Sequence, residues 1–321
     1  MNLGALGKPH PARPDSGNDQ GASSWRMRRS RAAVLSMGSN LFLTVLKLTI
    51  GLQIGSIGVI SEAVHSSVDL VASGLAFLAI RAAAKPADHD HAYGHGKYEN
   101  LSGLAEGALI LVAGVILAWE AVPRLLAGGR PPQVDLGLVA IGASCVVNLF
   151  VSAYLHRVAR EEGSPALEAD AQHLSSDVIT GAGVLLGLGL VQLTHLALFD
   201  GLTALVVSLW ILRIGYRIVA AALAHLVDES LPAEEVAEVE LILQAFEKDL
   251  LDWHDLKTRR SGSHRYMDVH LVVPGDITAK EAHRIADAIE RTLVERFPGA
   301  NVMTHVDVAD RLPDGQIVVS D

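Results

Sequence analysis

Two short stretches repeat one pattern. His65-Ser66-Ser67-Val68-Asp69 and His173-Leu174-Ser175-Ser176-Asp177 both read H-x-x-x-D, and each leads into a long run rich in Gly and Ala. Residues four apart share a helix face, so each motif, if helical, aims an imidazole and a carboxylate the same way. Two such helices packed together would set two nitrogens and two oxygens around one point, a donor set that suits tetrahedral Zn2+. Two carboxylates would also cancel the charge of a divalent ion. That matters because the motifs stand in apolar segments, where an uncompensated charge costs at least ~2.5–3.5 kcal/mol per group.

Two more groups of histidine and carboxylate follow, in a chain with 14 histidines. The run from Asp88 to Lys97 spells D-x-x-H-x-x-x-H, offering Asp88, His91 and His95, with His89 and Asp90 as extras. The last third of the chain holds His254, His270, His283, His305 and Asp307. His305 and Asp307 are two apart, so a strand would put both on one face. A lone histidine there would be structural; four on separate elements of one small domain favour a metal site. The single cysteine, Cys145, excludes a disulfide framework and a thiolate cluster.

The elements that must position these groups are legible in the hydropathy. Of 321 residues 50% are hydrophobic and 19% charged, with a mean hydropathy of +0.32, which is high for a soluble globule. Spanning a bilayer takes roughly 20 mainly apolar residues. Six stretches qualify, at about 32–53, 57–81, 99–123, 134–157, 172–194 and 200–223. Loop cations set orientation. Arg26, Arg28, Arg29 and Arg31 share one side with Arg81, Lys85, Lys97, Arg157 and Arg160, while Arg124 and Arg130 stand on the other. Both termini are therefore expected in the cytoplasm. Residues 1–31 read as a disordered tail before a membrane domain over 32–227. Residues 228–312 read as α-β-β-α-β, a small α+β domain, with a C-terminal tail over 313–321. The expected fold is thus membrane α-helical, six transmembrane helices, followed by a small α+β domain.

Charge sharpens the division. The net charge of −10 lies entirely in residues 228–321, with 20 acids against 10 bases; residues 1–227 balance. No basic face accumulates, which argues against nucleic acid. No G-x-x-x-x-G-K-[ST] occurs, so nucleotide hydrolysis is not the expected energy source. An intramembrane zinc hydrolase would need an open coordination position and a general base, and no H-E-x-x-H is present. A membrane-anchored sensor that moves nothing gives no reason for two ligand pairs inside apolar segments. Among other polar residues in the spans, Glu106 reads as a proton relay or a contact to a polar neighbour, and Asn40, Lys47 and Asn148 as interhelical contacts.

From about Arg31 to Leu312 the chain resembles the cation diffusion facilitators, six-helix metal transporters with a cytoplasmic domain. The resemblance is carried by HSSVD, HLSSD, PADHDHAYGHGKYE, HDLKTRRSG and FPGANVMTHVD. It implies that His65, Asp69, His173 and Asp177 form the transport site, and that Asp88, His91 and His95 form a loop site. It also implies that His254, His270, His283, His305 and Asp307 hold a pair of ions, with Asp307 as bridge. Lys97 and Asp228 match a charge pair joining the two domains at the dimer junction. The family implies a multi-pass homodimer of the inner membrane that exchanges cytoplasmic Zn2+, or Fe2+, Co2+ or Cd2+, for protons. The first transport position varies between His and Asp in the family; His65 makes this site richer in nitrogen, which favours Zn2+ over Cd2+ or Mn2+. No long His-rich loop separates the fourth and fifth segments, which points to a bacterial type.

Overall fold

The computed structural model describes residues 19–54, 57–127, 136–196, 198–311 and 317–319. Six long helices come first: α1 Asp19–Ile54, α2 Ile57–Ala83, α3 Lys97–Ala127, α4 Leu136–Glu162, α5 Pro165–Thr194 and α6 Leu198–Leu226. Each contains a stretch long and apolar enough to cross a membrane. Large apolar side chains cover their outer surface, among them Phe42, Trp119, Phe150 and Trp210, as a lipid-facing bundle requires. Inside, small residues let helices approach. Gly107, Gly114 and Gly215 bring α3 and α6 together, and a side chain at Gly181 of α5 would collide with Cys145 of α4.

Three boundaries differ from those the sequence suggests. Helix α1 starts at Asp19 rather than near residue 32, so residues 19–31 are helical, not a disordered tail; residues 1–18 lie outside the described residues. The charged end of this helix is held by partners: Arg28 pairs with Glu161 at 2.5 Å, and Arg29 with Glu99 at 2.7 Å. Helix α5 starts seven residues before the apolar run. Ser164 caps it, accepting a hydrogen bond from the Leu167 amide at 3.4 Å, and Pro165 takes the first turn, where its missing N–H costs nothing. The expected C-terminal tail contains a short strand, described below.

The soluble domain follows as α7 Ala233–Gln244, β1 Asp252–Ser261, β2 His264–Pro274, α8 Ala279–Arg296, β3 Asn301–Arg311 and β4 Ile317–Val319. The sheet order is β1-β2-β3-β4; β1 runs antiparallel to β2, β2 parallel to β3, and β4 antiparallel to β3. The α-β-β-α-β order stands, with β4 added from the expected tail. Met267, Val269, Leu271 and Val273 alternate along β2 into a core with Val239 and Leu243 of α7 and Ile285, Ile289 and Leu293 of α8. The helices thus cover one face, and period-two alternation turns the other face of β2 away from them.

Candidate metal centre

His65 and Asp69 lie one turn apart on α2, and His173 and Asp177 one turn apart on α5. The two helices pack together. One ligand atom each from His65, Asp69 and Asp177 lie within 4.8 Å of one another. His173 Nε2 is 3.2 Å from Asp69 Oδ1. All four expected groups therefore converge. Asp69 and His173 are buried, and both His173 Nδ1 and Asp177 Oδ2 lack a hydrogen-bond partner. Buried polar atoms are rarely left bare; here the bare atoms belong to groups that could grip a cation. Asn40 steadies α2, its Nδ2 donating to the Asp69 carbonyl at 3.4 Å and to Ser73 Oγ at 3.3 Å. Lys47 makes the expected interhelical contact: its Nζ donates to Ser66 Oγ of α2 at 2.9 Å.

A cavity of about 90 Å³ adjoins the quartet, lined by Lys47, His65, Asp69, Asn148, Asp177 and Val184. Its position defines the state of the bundle. The soluble domain meets the ends of α3 and α6 near Lys97 and Leu226. Measured from that end, residues 141–148 of α4 and 180–184 of α5 lie beyond the quartet. The cavity thus extends from the quartet to the side away from the soluble domain.

The loop group also converges. Asp88 Oδ1 accepts from the backbone N–H of His91 at 2.7 Å and of Asp90 at 3.1 Å. His91 Nδ1 is 3.2 Å from Asp88 Oδ1, and His95 Nε2 is 3.3 Å from Oδ2. The His91 amide, ahead of the imidazoles, holds the Asp88 carboxyl below the usual carboxylate range. His95 is buried with Nδ1 bare. The donor set of one carboxylate and two imidazoles fits a divalent transition metal.

In the soluble domain the register builds the third group. His254 of β1 pairs with His270 of β2, which pairs with His305 of β3, so three imidazoles form a row across the sheet. Asp307, two residues on, returns to the same face: its Oδ2 is 2.9 Å from His270 Nδ1 and 3.5 Å from His254 Nε2, and its Oδ1 is 3.3 Å from His305 Nε2. One carboxylate with imidazoles on both oxygens fits a bridge between ions. His283 does not join them. It sits on α8, largely exposed, 3.5 Å from Asp287, because the helices cover the opposite face of the sheet.

Lys97 Nζ meets Asp228 Oδ1 at 2.9 Å, joining the membrane domain to the soluble one. Lys97 holds the Asp228 carboxyl below its ordinary range. The sequence did not reveal what surrounds this pair. Asn100 Oδ1 accepts from the Gly262 amide at 2.8 Å, and Arg259 packs on the rings of Tyr93 and Tyr266, which themselves meet edge to face. The tight turn at Gly262 (φ +57°) supplies the fit, since a Cβ there would strike Gly96.

A family model for the cation efflux transmembrane domain matches residues 33–227, and one for the cytoplasmic domain of cation efflux proteins matches 231–309. The chain belongs to the cation diffusion facilitators. It is 36% identical over 275 residues to an uncharacterised transporter of Synechocystis, covering 86% of this chain and 89% of that one. It is 32% identical over 288 residues to the cation-efflux pump FieF of Klebsiella pneumoniae, covering 89% and 95%. A solved structure of CzrB, a proposed zinc transporter in its Zn form, shares 46% identity over 25% of this chain and 90% of that one, with a TM-score of 0.24. As a facilitator, this chain is a multi-pass membrane protein of a divalent metal efflux family.

Proposed function

We propose that this facilitator exports Zn2+ in exchange for protons, carrying the ion on His65, Asp69, His173 and Asp177. The observation that carries the reading is the convergence of two imidazoles and two carboxylates from α2 and α5, with bare ligand atoms on His173 and Asp177. Zn2+ binds neutral imidazole and ionised carboxylate, so loading releases protons and acid on the far side ejects the ion. An ordinary histidine titrates at ~6.5, close to working pH. The cavity on the side away from the soluble domain supports a release state in an alternating cycle. A proton gradient across the inner membrane then supplies the driving force, with both termini in the cytoplasm. Reconstituted protein should move Zn2+ under an imposed pH gradient and stop when an ionophore collapses it. Flux indifferent to that collapse would reject the exchange.

We also propose that the protein works as a homodimer whose soluble domains sense metal. The matched cytoplasmic domain supports pairing. His254, His270, His305 and Asp307 would hold regulatory Zn2+, and Asp88, His91 and His95 a further ion beside the junction. His283, remote from the row within one chain, would have to reach ions from a partner. Preference for Fe2+, Co2+ or Cd2+ is the second reading, since two imidazoles and two carboxylates accept each of these ions in some degree.

A further inference from the structure

Two buried carboxyls stand on the soluble-domain side of the quartet. Glu106 of α3 and Asp170 of α5 are both fully buried. Among the described residues, Glu106 Oε2 and both oxygens of Asp170 make no hydrogen bond of ordinary geometry. Glu106 Oε1 accepts a long hydrogen bond, 3.3 Å, from Ser102 Oγ. Ser36 of α1 faces Asp170, fully buried, yet its hydroxyl makes no hydrogen bond of ordinary geometry. The helices touch closely here: a Cβ on Gly103 would lie 3.7 Å from that of Ala169, which brings the next turn of α3 to Asp170. The two carboxyls are near enough to repel each other, and His173 is the other ionisable group acting on both. Helix α6 presents Ile218 and Val219 at Gly107, and its Arg217 lines a cavity with Gly103, Glu168 and Ala169 on the soluble-domain side. Arg29 is committed to Glu99, nearer the soluble domain.

We propose that Glu106 and Asp170, with the hydroxyls of Ser36 and Ser102, form an entry station for the divalent ion between the soluble-domain side and the transport quartet. Two carboxylates match the charge of a divalent cation, as in the quartet, and hydroxyls complete an all-oxygen set that binds less selectively and more loosely than imidazole does. Position supports the role. Glu106 lies about two and a half turns in from Lys97, and Asp170 about a turn and a half in from Pro165, one turn short of His173. An ion coming from the soluble-domain side reaches them first. In the conformation described, the pair is fully buried, with three oxygens that make no hydrogen bond of ordinary geometry among the described residues. Bare carboxylates inside an apolar bundle are costly; a station filled whenever the entry side opens gives them a ligand. The inference rests on metal transport by the family and not on exchange with protons.

The test is Zn2+ uptake by the full chain in vesicles with its soluble domain facing the added ion. Glu106→Gln and Asp170→Asn should each raise KM by about tenfold while Vmax changes by no more than about twofold. Glu106→Asp, which keeps the carboxylate, should stay nearer the wild-type KM. A second measurement uses Mn2+ alone. With the other three sites emptied by Asp177→Ala, Asp88→Ala and Asp307→Ala, one bound Mn2+ should remain by electron paramagnetic resonance and vanish on adding Glu106→Gln. Unchanged KM, or a fall in Vmax with a shifted pH profile and unchanged KM, would overturn the station. So would the absence of bound Mn2+. Loss of all transport in Asp69→Ala with this Mn2+ retained would strike the quartet alone and leave the station standing.

Discussion

The spacing of single residues carries the quartet, and its chemistry follows from which atom each residue offers. His65 gives nitrogen where the family also allows oxygen, so His65→Asp should shift relative flux from Zn2+ toward Cd2+ and Mn2+, by about tenfold in the ratio of KM values. A panel of ions in the same vesicles measures it, and an unchanged ratio would show that selectivity lies elsewhere. Spacing alone marked all four groups that converge, because ionisable groups one turn apart on each of two apolar helices must face a shared ligand or one another to avoid lipid. It did not mark Asp170, which belongs to no motif, nor the task of Lys47, which depends on the packing of α1 against α2. Arg29 escaped for a different reason. Its neighbours Arg28 and Arg31 made it look like one of a solvated run, whereas it is buried and donates to Glu99 of α3, whose other oxygen accepts from Ser164, the cap of α5. Removing one partner of a buried pair leaves a bare charge, so Arg29→Ala should cost about 3–5 kcal/mol. Thermal unfolding in detergent would register this as a large fall in midpoint, and a fall no greater than that of Arg28→Ala would refute the burial argument.

Elements account for what composition could not. The six spans were legible because apolar runs of bilayer length have few other uses, and α8 because its apolar stripe is ended by Pro298-Gly299. The early start of α5 was signalled by Ser164-Pro165, a cap and first-turn pair, but the polar residues after it hid the helix. Strand β4 has three residues, and only pairing with β3 defines it. The row of His254, His270 and His305 needed the register of three strands, which no single strand contains. The junction depends on close backbone approach. A Cβ on Gly96 would sit 2.5 Å from the Ser261 carbonyl oxygen, and backbone cannot yield as a side-chain tip can. Gly96→Ala should therefore cost about 1–3 kcal/mol and expose the β1–β2 turn, read as faster tryptic cleavage at Arg259 and Arg260; an unaltered rate would contradict the fit. The charge pairs here have a pH signature. Lys97 beside Asp228, and Arg265 beside Glu235, hold these carboxyls below their ordinary range. A depressed folded value stabilises above the unfolded value of about 4 and is lost as pH falls through the lower folded one. Hydrogen exchange at the Gly262 amide, corrected for its intrinsic pH dependence, should stay flat from pH 8 to 5 and quicken below about pH 4. Quickening already between pH 7 and 5 would mean that other groups hold the junction.

For the whole molecule, the division of charge anticipated the division of labour. A neutral bundle houses the quartet, and an acidic domain bearing all of the net charge attracts cations at its surface. The two are joined by Lys97–Asp228, Asn100–Gly262 and the Tyr93–Arg259–Tyr266 cluster, which gives the proposed metal on the sheet row a short path to the helices. His254→Ala with His305→Ala should raise the metal concentration for half-maximal transport by about tenfold while the quartet still binds; unchanged dependence would reduce the domain to a clamp. On which side of the quartet the cavity lies was beyond the sequence, since every conformation in a cycle shares it. The central claim is that α2 and α5 carry the ion between them. It is tested most directly by metal flux into vesicles, wild type against Asp69→Ala and Asp177→Ala, with folding verified by unchanged elution and melting. Each substitution should abolish Zn2+ flux, and with it flux of every other ion that the wild type moves. Near wild-type flux from either variant would contradict the account.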